Sequence, residues 1–244
     1  MNYVDDTPEF GEFKYPYPKN SICINNLPVN KRRAKIIVFE GSDGSGKSTQ
    51  IDILYQMLNK KNNVVKISYI KSKIISNLLL KFKWNNVDAL SFTYLYLAAL
   101  THEINKVIYN SEDIIIFDRY IYTILAKFKE KGGNDSFINT IIDLYPKPDI
   151  IIYIDTPAEI CIKRKEEMKS PITYWEAGAD IYCDDNIRFS YDYENLKYSF
   201  RLHQTKMKEI ILEFISPENT HIIDGSKSLN SVQENILKII EKEL

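Results

Sequence analysis

One short run constrains this chain more than any other: an apolar segment, a glycine-rich turn and the start of a helix. Residues 35–49 read Lys-Ile-Ile-Val-Phe-Glu-Gly-Ser-Asp-Gly-Ser-Gly-Lys-Ser-Thr. The pattern G-x-x-x-x-G-K-[ST] is completed by Gly41, Gly46, Lys47 and Ser48. Glycines let the backbone approach a ligand closely, and the N–H groups of such a loop converge on a phosphate at the positive end of a helix dipole. The sequence therefore predicts a phosphate-binding loop between a β-strand and an α-helix.

The residue types within this loop predict separate roles. Lys47 can reach the β- and γ-phosphates of a nucleoside triphosphate, and the Ser48 hydroxyl can ligate Mg²⁺. The residues that we expect around the phosphates are Gly41, Gly44, Ser45, Gly46, Lys47, Ser48 and Thr49.

The composition indicates a globular protein with a core of ordinary size. Apolar residues make up 44% of the 244 residues, and 32 basic against 33 acidic residues give a net charge of -1, so we expect no nucleic-acid partner. The three cysteines are far apart and form no CxxC pair, which favours a reducing compartment. Since no apolar stretch approaches about 18 residues and no signal sequence is evident, we expect a cytoplasmic protein without a membrane partner.

The N-terminal part of the chain differs from the rest. Residues 1–33 hold four prolines together with Phe10, Phe13, Tyr15 and Tyr17. We expect residues 1–33 to form an arm that either docks through its aromatic side chains or is a disordered tail. Residues 34–244 are then expected to form the nucleotide-binding domain.

Short apolar runs alternate with helix-like patterns from residue 35 onward. The predicted strands cover residues 35–40, 64–69, 113–117, 149–154 and 220–223. Apolar runs with few polar interruptions are typical of strands buried on both faces of a parallel sheet. The alternation predicts an α/β fold with a doubly wound five-stranded parallel sheet, whose ligands bind beyond the carboxyl ends of the strands.

A long helix is predicted between the second and third strands. Its expected apolar face consists of Leu90, Tyr94, Leu97, Thr101, Ile104 and Ile108, which recur at three- and four-residue steps.

Charged residues follow the third strand directly, at the edge where the phosphate loop is expected. Asp118 can act there through Mg²⁺ or its bound waters, and Arg119 can bridge phosphates with its planar fork of donors. The sequence therefore predicts that Ser48 and Asp118 share a metal site.

Several segments resemble the thymidylate kinase family. Residues 39–50 resemble its phosphate loop, residues 118–120 its Asp-Arg-Tyr signature, residues 148–159 its fourth strand and the following helix, and residues 223–226 its adenine-side loop. The resemblance runs in order over residues 35–244. It implies a P-loop kinase fold with a helical lid, and transfer of the γ-phosphoryl group from ATP·Mg²⁺ to a nucleoside monophosphate.

The resemblance also implies roles on the donor side. Lys47 and Arg119 would stabilise the charge of the transferring group. Asp118, acting through Mg²⁺, and Arg164 are the other expected catalytic residues. Arg164 would lie at a lid of about residues 165–190 and reach the donor phosphates or adenine, although its basic cluster is also compatible with a solvated helix face. Asp224 and Gly225 would lie on the adenine side.

On the acceptor side, Asp43 would face the sugar. The residues expected to bind the acceptor are Asp43, Lys71, Tyr94, Tyr120 and Trp175. Trp175 and its neighbours Tyr174 and Glu176 could close over the acceptor or pack in a small core within the lid.

The chain departs from the family pattern where the base is read. Ala98 and Ala99 stand where the family has an Asp-Arg pair, and Lys127 and Phe128 stand at the Tyr-Gln that reads thymine. A site that reads a base through hydrogen bonds loses selectivity when the groups that form those bonds are absent. We therefore expect dTMP to be a poor acceptor or one of several.

Two other functions stay open at this point. A nucleoside kinase that acts on a 5′-hydroxyl needs a general base, and enzymes of that kind that resemble this fold place an acid after the second strand, where Lys71 and Lys73 stand here. A non-catalytic nucleotide-binding regulator would not need Lys47, Ser48, Asp118 and Arg119 intact. The sequence is also compatible with a homodimer.

Overall fold

A five-stranded parallel sheet forms the centre of the computed structural model, which describes residues 34–72, 75, 78, 87–107, 113–183 and 192–244. The strands are β1 Lys35–Gly41, β2 Val64–Ile67, β3 Ile114–Asp118, β4 Ile150–Asp155 and β5 Thr220–Asp224. They lie in the order β2-β3-β1-β4-β5, and every pair is parallel. The predicted doubly wound α/β fold is confirmed, while the predicted arm of residues 1–33 lies outside the described residues.

Helices connect the strands and cover both faces of the sheet. They are α1 Lys47–Leu58, α2 Ala89–Val107, α3 Ile121–Glu130, α4 Asp135–Leu144, α5 Ala158–Glu167, α6 Ala179–Tyr182, α7 Tyr193–Phe214 and α8 Leu229–Glu243, with short 3₁₀ turns at Tyr69–Lys71 and Pro217–Asn219. Among the described helices, none is both long enough and apolar enough to cross a membrane.

The sheet is buried on both sides because its strands alternate their side chains between two cores. Ile36 and Val38 of β1 face a core shared with α2, α3, α4 and α7. Ile37 and Phe39 face the opposite core, which α1 and α8 complete. This double burial explains why the strands read as continuous apolar runs rather than as alternating ones.

The second strand is shorter than predicted. β2 ends at Ile67, and the chain turns into a 3₁₀ helix at Tyr69–Lys71. Tyr69 is 2% exposed, and its ring packs edge-on against Tyr96 of α2, with the ring centres 5.7 Å apart. Packing of this aromatic ring under α2 therefore replaces two residues of sheet pairing. The other predicted strands agree with the structure to within one residue at each end.

The predicted apolar face of the long helix is wrong in part. Leu90 and Tyr94 are 40% and 54% exposed, and Ile108 lies outside the described residues. Leu97 and Ile104 are buried as predicted, and the buried face also contains Thr93, Leu100 and Val107. Since α2 carries apolar residues on most of its circumference, periodicity alone could not identify the side that meets the sheet.

Backbone contact fixes the phosphate loop against α5. Gly44 has a φ of 84°, and a Cβ atom at this position would lie 2.8 Å from the carbonyl oxygen of Cys161 in α5. Only glycine therefore allows this approach of loop and helix.

Gly44→Ala should destabilise the protein more than Gly132→Ala. Gly132 has the same φ of 84°, but open space surrounds its missing Cβ. Both substitutions carry the left-handed backbone cost of about 1–2 kcal/mol, and only Gly44→Ala adds an overpacking cost of about 1–3 kcal/mol. Urea unfolding of both variants measures the difference. Equal losses in the free energy of unfolding would show that the loop does not depend on this contact.

Candidate active site

Lys47 is buried beneath the loop that its sequence motif predicts. Its Nζ donates to the carbonyl oxygens of Gly41 at 2.8 Å and Ser42 at 2.7 Å. Burial, and then the positive charge of Arg119, lower the pKa of Lys47 to about 8. The ammonium group therefore lies beneath the loop, within reach of a phosphate bound there. Without a phosphate, burial destabilises its charged form.

Ser48 and Asp118 meet at the carboxyl edge of the sheet. β1 and β3 are neighbours, with Phe39 paired to Asp118, so the residues that follow both strands lie side by side. The Ser48 hydroxyl donates to Asp118 Oδ2 at 3.0 Å. Hydroxyl and carboxylate oxygens are the ligand types that Mg²⁺ prefers.

Arg119 occupies a strained turn directly after β3. Its φ is 69°, a conformation that costs about 1–3 kcal/mol in a residue other than glycine. Its Nη2 lies 2.6 Å from Asp43 Oδ1 in the phosphate loop, and its Nη1 donates to Thr123 Oγ1 at 3.1 Å. Burial alone would lower the pKa of Arg119, but Asp43 and then Glu40 outweigh it and raise the pKa above its ordinary value.

The Asp43 carboxyl group is ionised by the same contact. Burial would raise its pKa, but Arg119 and then Lys47 hold the pKa of Asp43 well below its ordinary value. This carboxylate is therefore a weak proton acceptor, which limits any role as a general base.

Glu40 lies behind Arg119 and was not identified from the sequence. It is the last side chain of β1 before the loop and is fully buried. Its carboxylate accepts hydrogen bonds from Tyr120 N at 3.0 Å and Thr123 Oγ1 at 2.5 Å. Burial raises the pKa of Glu40, although Arg119 opposes the shift. The available signal was a charged residue inside an otherwise apolar strand, which requires buried partners.

Arg164 connects two loops on the donor side. It donates from Nη1 to Ser45 O at 3.1 Å and from Nη2 to Gly225 O at 2.8 Å. Within its basic cluster, Lys163 is exposed and Lys165 is buried in an ion pair with Glu176 at 2.9 Å. Arg164 alone of these three therefore lines the cleft above the phosphate loop.

Asp224 does not face that cleft. Its Oδ1 accepts the Ser226 N–H at 2.9 Å and so shapes the turn, while Gly225 lines the cleft wall. Asp224 was expected on the adenine side; its carboxylate takes part in an Asx turn, and its position beside adenine stays a prediction.

Two cavities meet beside the loop. A cleft of about 490 Å³ contains the phosphate loop from Asp43 to Gln50 and is also lined by Lys71, Arg164 and Gly225. A second cavity of about 370 Å³ has aromatic walls. Both are lined by Asp43, Ile70 and Arg119. Lys71, which was expected to bind the acceptor, thus lies on the cleft that contains the phosphate loop, and Lys73 is outside the described residues.

The aromatic walls differ from those predicted. Phe92 and Tyr96 of α2 line the second cavity together with Trp175, and the Phe92 and Trp175 ring centres lie 5.9 Å apart. Trp175, which was expected to bind the acceptor, lies on this cavity. Phe92 and Tyr96 were missed, although their spacing of four residues places them on one side of a helix.

Tyr94 and Tyr120, which were expected to bind the acceptor, are not among the residues that line the aromatic cavity. Tyr94 is on the exposed side of α2, where its ring packs edge-on against Phe137. Tyr120 is fully buried in the core, and its hydroxyl donates to Pro146 O at 2.8 Å. A buried tyrosine requires such a partner, and this one turns the ring away from the cavity.

The departures from the family pattern fall into two groups. Lys127 and Phe128 line the aromatic cavity. Ala98 is exposed and Ala99 is fully buried, and both lie outside the residues that line the cavity. On α2, the rings that line the cavity are those of Phe92 and Tyr96, which precede Ala98 and Ala99 in the helix.

The described part of the lid, residues 165–183, has a core of its own. Tyr174 packs against a cluster that includes Ala177 and Phe200, while Trp175 faces the cavity. Ser199 Oγ donates to Ala177 O at 2.8 Å and thereby ties the lid to α7. Tyr174 thus packs in a small core within the lid, whereas closure of Trp175 over an acceptor stays a prediction.

A polar network forms the far end of the aromatic cavity. His203 Nδ1 lies 2.7 Å from Glu130 Oε2, and the Tyr182 hydroxyl donates to Glu130 Oε1 at 2.9 Å. An ion pair between Lys131 and Asp180 lies beside it. These contacts join α6 of the lid to α3 and α7.

The sequence and the fold both match known kinases. Residues 39–177 match the family model described as thymidylate kinase. A probable thymidylate kinase 1 of Saccharolobus solfataricus is 30% identical over 215 residues, which cover 86% of this chain and 98% of that protein. A thymidylate kinase structure from Candida albicans aligns with a TM-score of 0.60 at 24% identity and covers 86% of this chain and 92% of that chain. One from Ehrlichia chaffeensis aligns with a TM-score of 0.56 at 25% identity and covers 85% and 98%.

The family match extends over more than half of the chain, and the phosphate loop, Asp118 and Arg119 lie together at one edge of the sheet. The chain therefore belongs to the thymidylate kinase family and is an ATP-dependent nucleoside monophosphate kinase.

Proposed function

We propose that this kinase binds ATP in the cleft above the phosphate loop and a nucleoside monophosphate in the aromatic cavity, with relaxed selection of the acceptor base. The observation that carries the proposal is the junction of the two cavities at Asp43, Ile70 and Arg119. Two substrates that occupy these cavities would bring their phosphates together beside the Arg119 guanidinium.

The donor half of the proposal rests on the loop and its neighbours. The loop N–H groups and Lys47 would hold the β- and γ-phosphates, and Arg164 would add positive charge from the other wall of the cleft. Gly225 and the start of α8 at Leu229 line the end of the cleft away from Arg119, where adenine would lie.

The oxygen atoms of Ser48 and Asp118 fit Mg²⁺ by type and by their 3.0 Å separation. When bound there, the ion would neutralise charge on the donor phosphates. Ser48 and Asp118 would orient it against the loop.

A phosphate acceptor fits the charges at the junction better than a hydroxyl acceptor. Residues 68–86 contain no Asp or Glu, and Asp43 is held ionised by Arg119. A monophosphate is already anionic and needs no general base, whereas a 5′-hydroxyl does. Lys47 and Arg119 would stabilise the charge that is shared between donor and acceptor during transfer.

The cavity walls support relaxed base selection. Phe92, Tyr96 and Trp175 offer ring faces, and stacking tolerates different bases because every base has a π-face. Phe128 lies on the same cavity, where the family pattern has a glutamine. An apolar ring there cannot form hydrogen bonds to a base edge.

Substrate competition tests the proposal. We expect ATP-dependent ADP release with several of dTMP, dUMP, UMP, CMP, AMP and GMP, and none with thymidine or deoxycytidine. A dTMP preference above about 10⁴-fold in kcat/KM would indicate a dedicated polar readout and contradict relaxed selection. Turnover of a nucleoside would favour a 5′-hydroxyl acceptor, and no turnover at all would favour the non-catalytic regulator.

Two aromatic residues on α2 provide a matched pair for the acceptor cavity. Phe92→Ala should raise the KM of the preferred monophosphate by roughly 5- to 150-fold, since base–aromatic stacking is worth about 1–3 kcal/mol. Tyr94→Ala removes an exposed ring from the same helix and should leave this KM unchanged. Similar effects of both substitutions would place the base elsewhere.

A further inference from the structure

A chain of hydrogen bonds runs from Glu40 of β1 through Thr123 to the Arg119 side chain at the junction of the two cavities. Glu40 Oε2 accepts from Thr123 Oγ1 at 2.5 Å, and Thr123 Oγ1 accepts from Arg119 Nη1 at 3.1 Å. Glu40 is fully buried and Thr123 is 2% exposed. Neither residue is among those that line the cleft or the aromatic cavity.

The directions of these bonds are fixed by chemistry. A threonine hydroxyl has one proton, and a guanidinium can only donate, so Thr123 accepts from Arg119 and directs its own proton to Glu40. Once Thr123 donates its proton to Glu40, its lone pairs point to the guanidinium of Arg119. Without the carboxylate the hydroxyl could rotate, and its proton could then face the Nη1–H group instead.

β1 also fixes the backbone of Arg119. Arg119 N donates to Phe39 O at 3.0 Å, and Tyr120 N donates to Glu40 Oε1 at 3.0 Å. These two bonds flank the residue with a φ of 69°. Glu40 therefore touches both the turn and, through Thr123, the side chain that the turn presents.

We propose that Glu40 and Thr123 are positioning residues for phosphoryl transfer, which hold the Arg119 guanidinium at the junction of the two cavities. The inference rests on the proposed function, in which Arg119 contacts the transferred group. Asp43 accepts from Nη2 of the guanidinium, and Thr123 accepts from Nη1. Loss of either contact would allow the guanidinium to rotate. Misplacement of a catalytic group by about 1 Å costs on the order of 10²-fold in rate.

Thr123→Val removes the hydroxyl and preserves the shape of the side chain. We expect kcat to fall by about 10²-fold, with the KM values for ATP and the monophosphate nearly unchanged, because the contact to Arg119 matters most during transfer. Thr123→Ser should restore most of the rate. The control is Thr101→Val on α2. It removes the Thr101 hydroxyl, which lies 2.6 Å from the Tyr145 hydroxyl, and should leave kcat unchanged.

Arg119→Ala distinguishes positioning from a purely structural role. In the Arg119→Ala background, Thr123→Val should cause almost no further loss of kcat, because the group that Thr123 positions is gone. A further loss equal to that in the unmodified protein would overturn the inference, as would an unchanged kcat in Thr123→Val alone. If Thr123→Val does not fold, Glu40→Gln serves in its place with the same expectations.

The failure of the proposed function has a different signature. Full activity of Arg119→Ala would contradict the role of Arg119 itself. A slow Arg119→Ala together with a normal Thr123→Val would leave that role in place and overturn the positioning inference alone.

Discussion

The burial of two cations at one sheet edge is the constraint on which the rest of the site depends. Lys47 and Arg119 are both buried, and each disfavours the charge of the other. Carboxylates and carbonyl groups compensate them: Asp43 pairs with Arg119, and the loop carbonyl oxygens accept from Lys47. A site arranged in this way is ready for anionic phosphates before they arrive, so little reorganisation accompanies transfer.

The fold creates this edge through the position of β1 in the sheet. β1 lies between β3 and β4, so its carboxyl end delivers the loop, while β3 delivers Asp118 and Arg119 beside it. Glu40 at the end of β1 then reaches under the turn after β3. Neighbouring parallel strands thus bring residues that are about 80 positions apart in the chain into one hydrogen-bonded unit.

Sequence reasoning succeeded where residue chemistry was local. The phosphate loop and the apolar strands could be predicted, because glycine spacing and double burial leave a pattern in consecutive residues. It failed where tertiary packing determines which of two similar sides of a helix is buried. Tyr94 and Phe92 both fit an aromatic wall on α2, and only the orientation of the helix decides which one faces the cavity. Thr123 on α3 left no signal because its partner, Glu40, lies far away in the sequence on β1.

Proton uptake on nucleotide binding tests this account most directly. With the Lys47 pKa lowered to about 8, a large part of Lys47 is neutral at pH 8.5, and bound phosphates would raise the pKa and protonate it. Calorimetric titration of ATP in buffers of different ionisation enthalpy should therefore show net proton uptake at pH 8.5. Lys47→Arg, whose side chain stays protonated, should show none of this uptake. Equal proton uptake in both proteins would contradict the claim that the negative charge of bound phosphates stabilises the charged form of the buried Lys47.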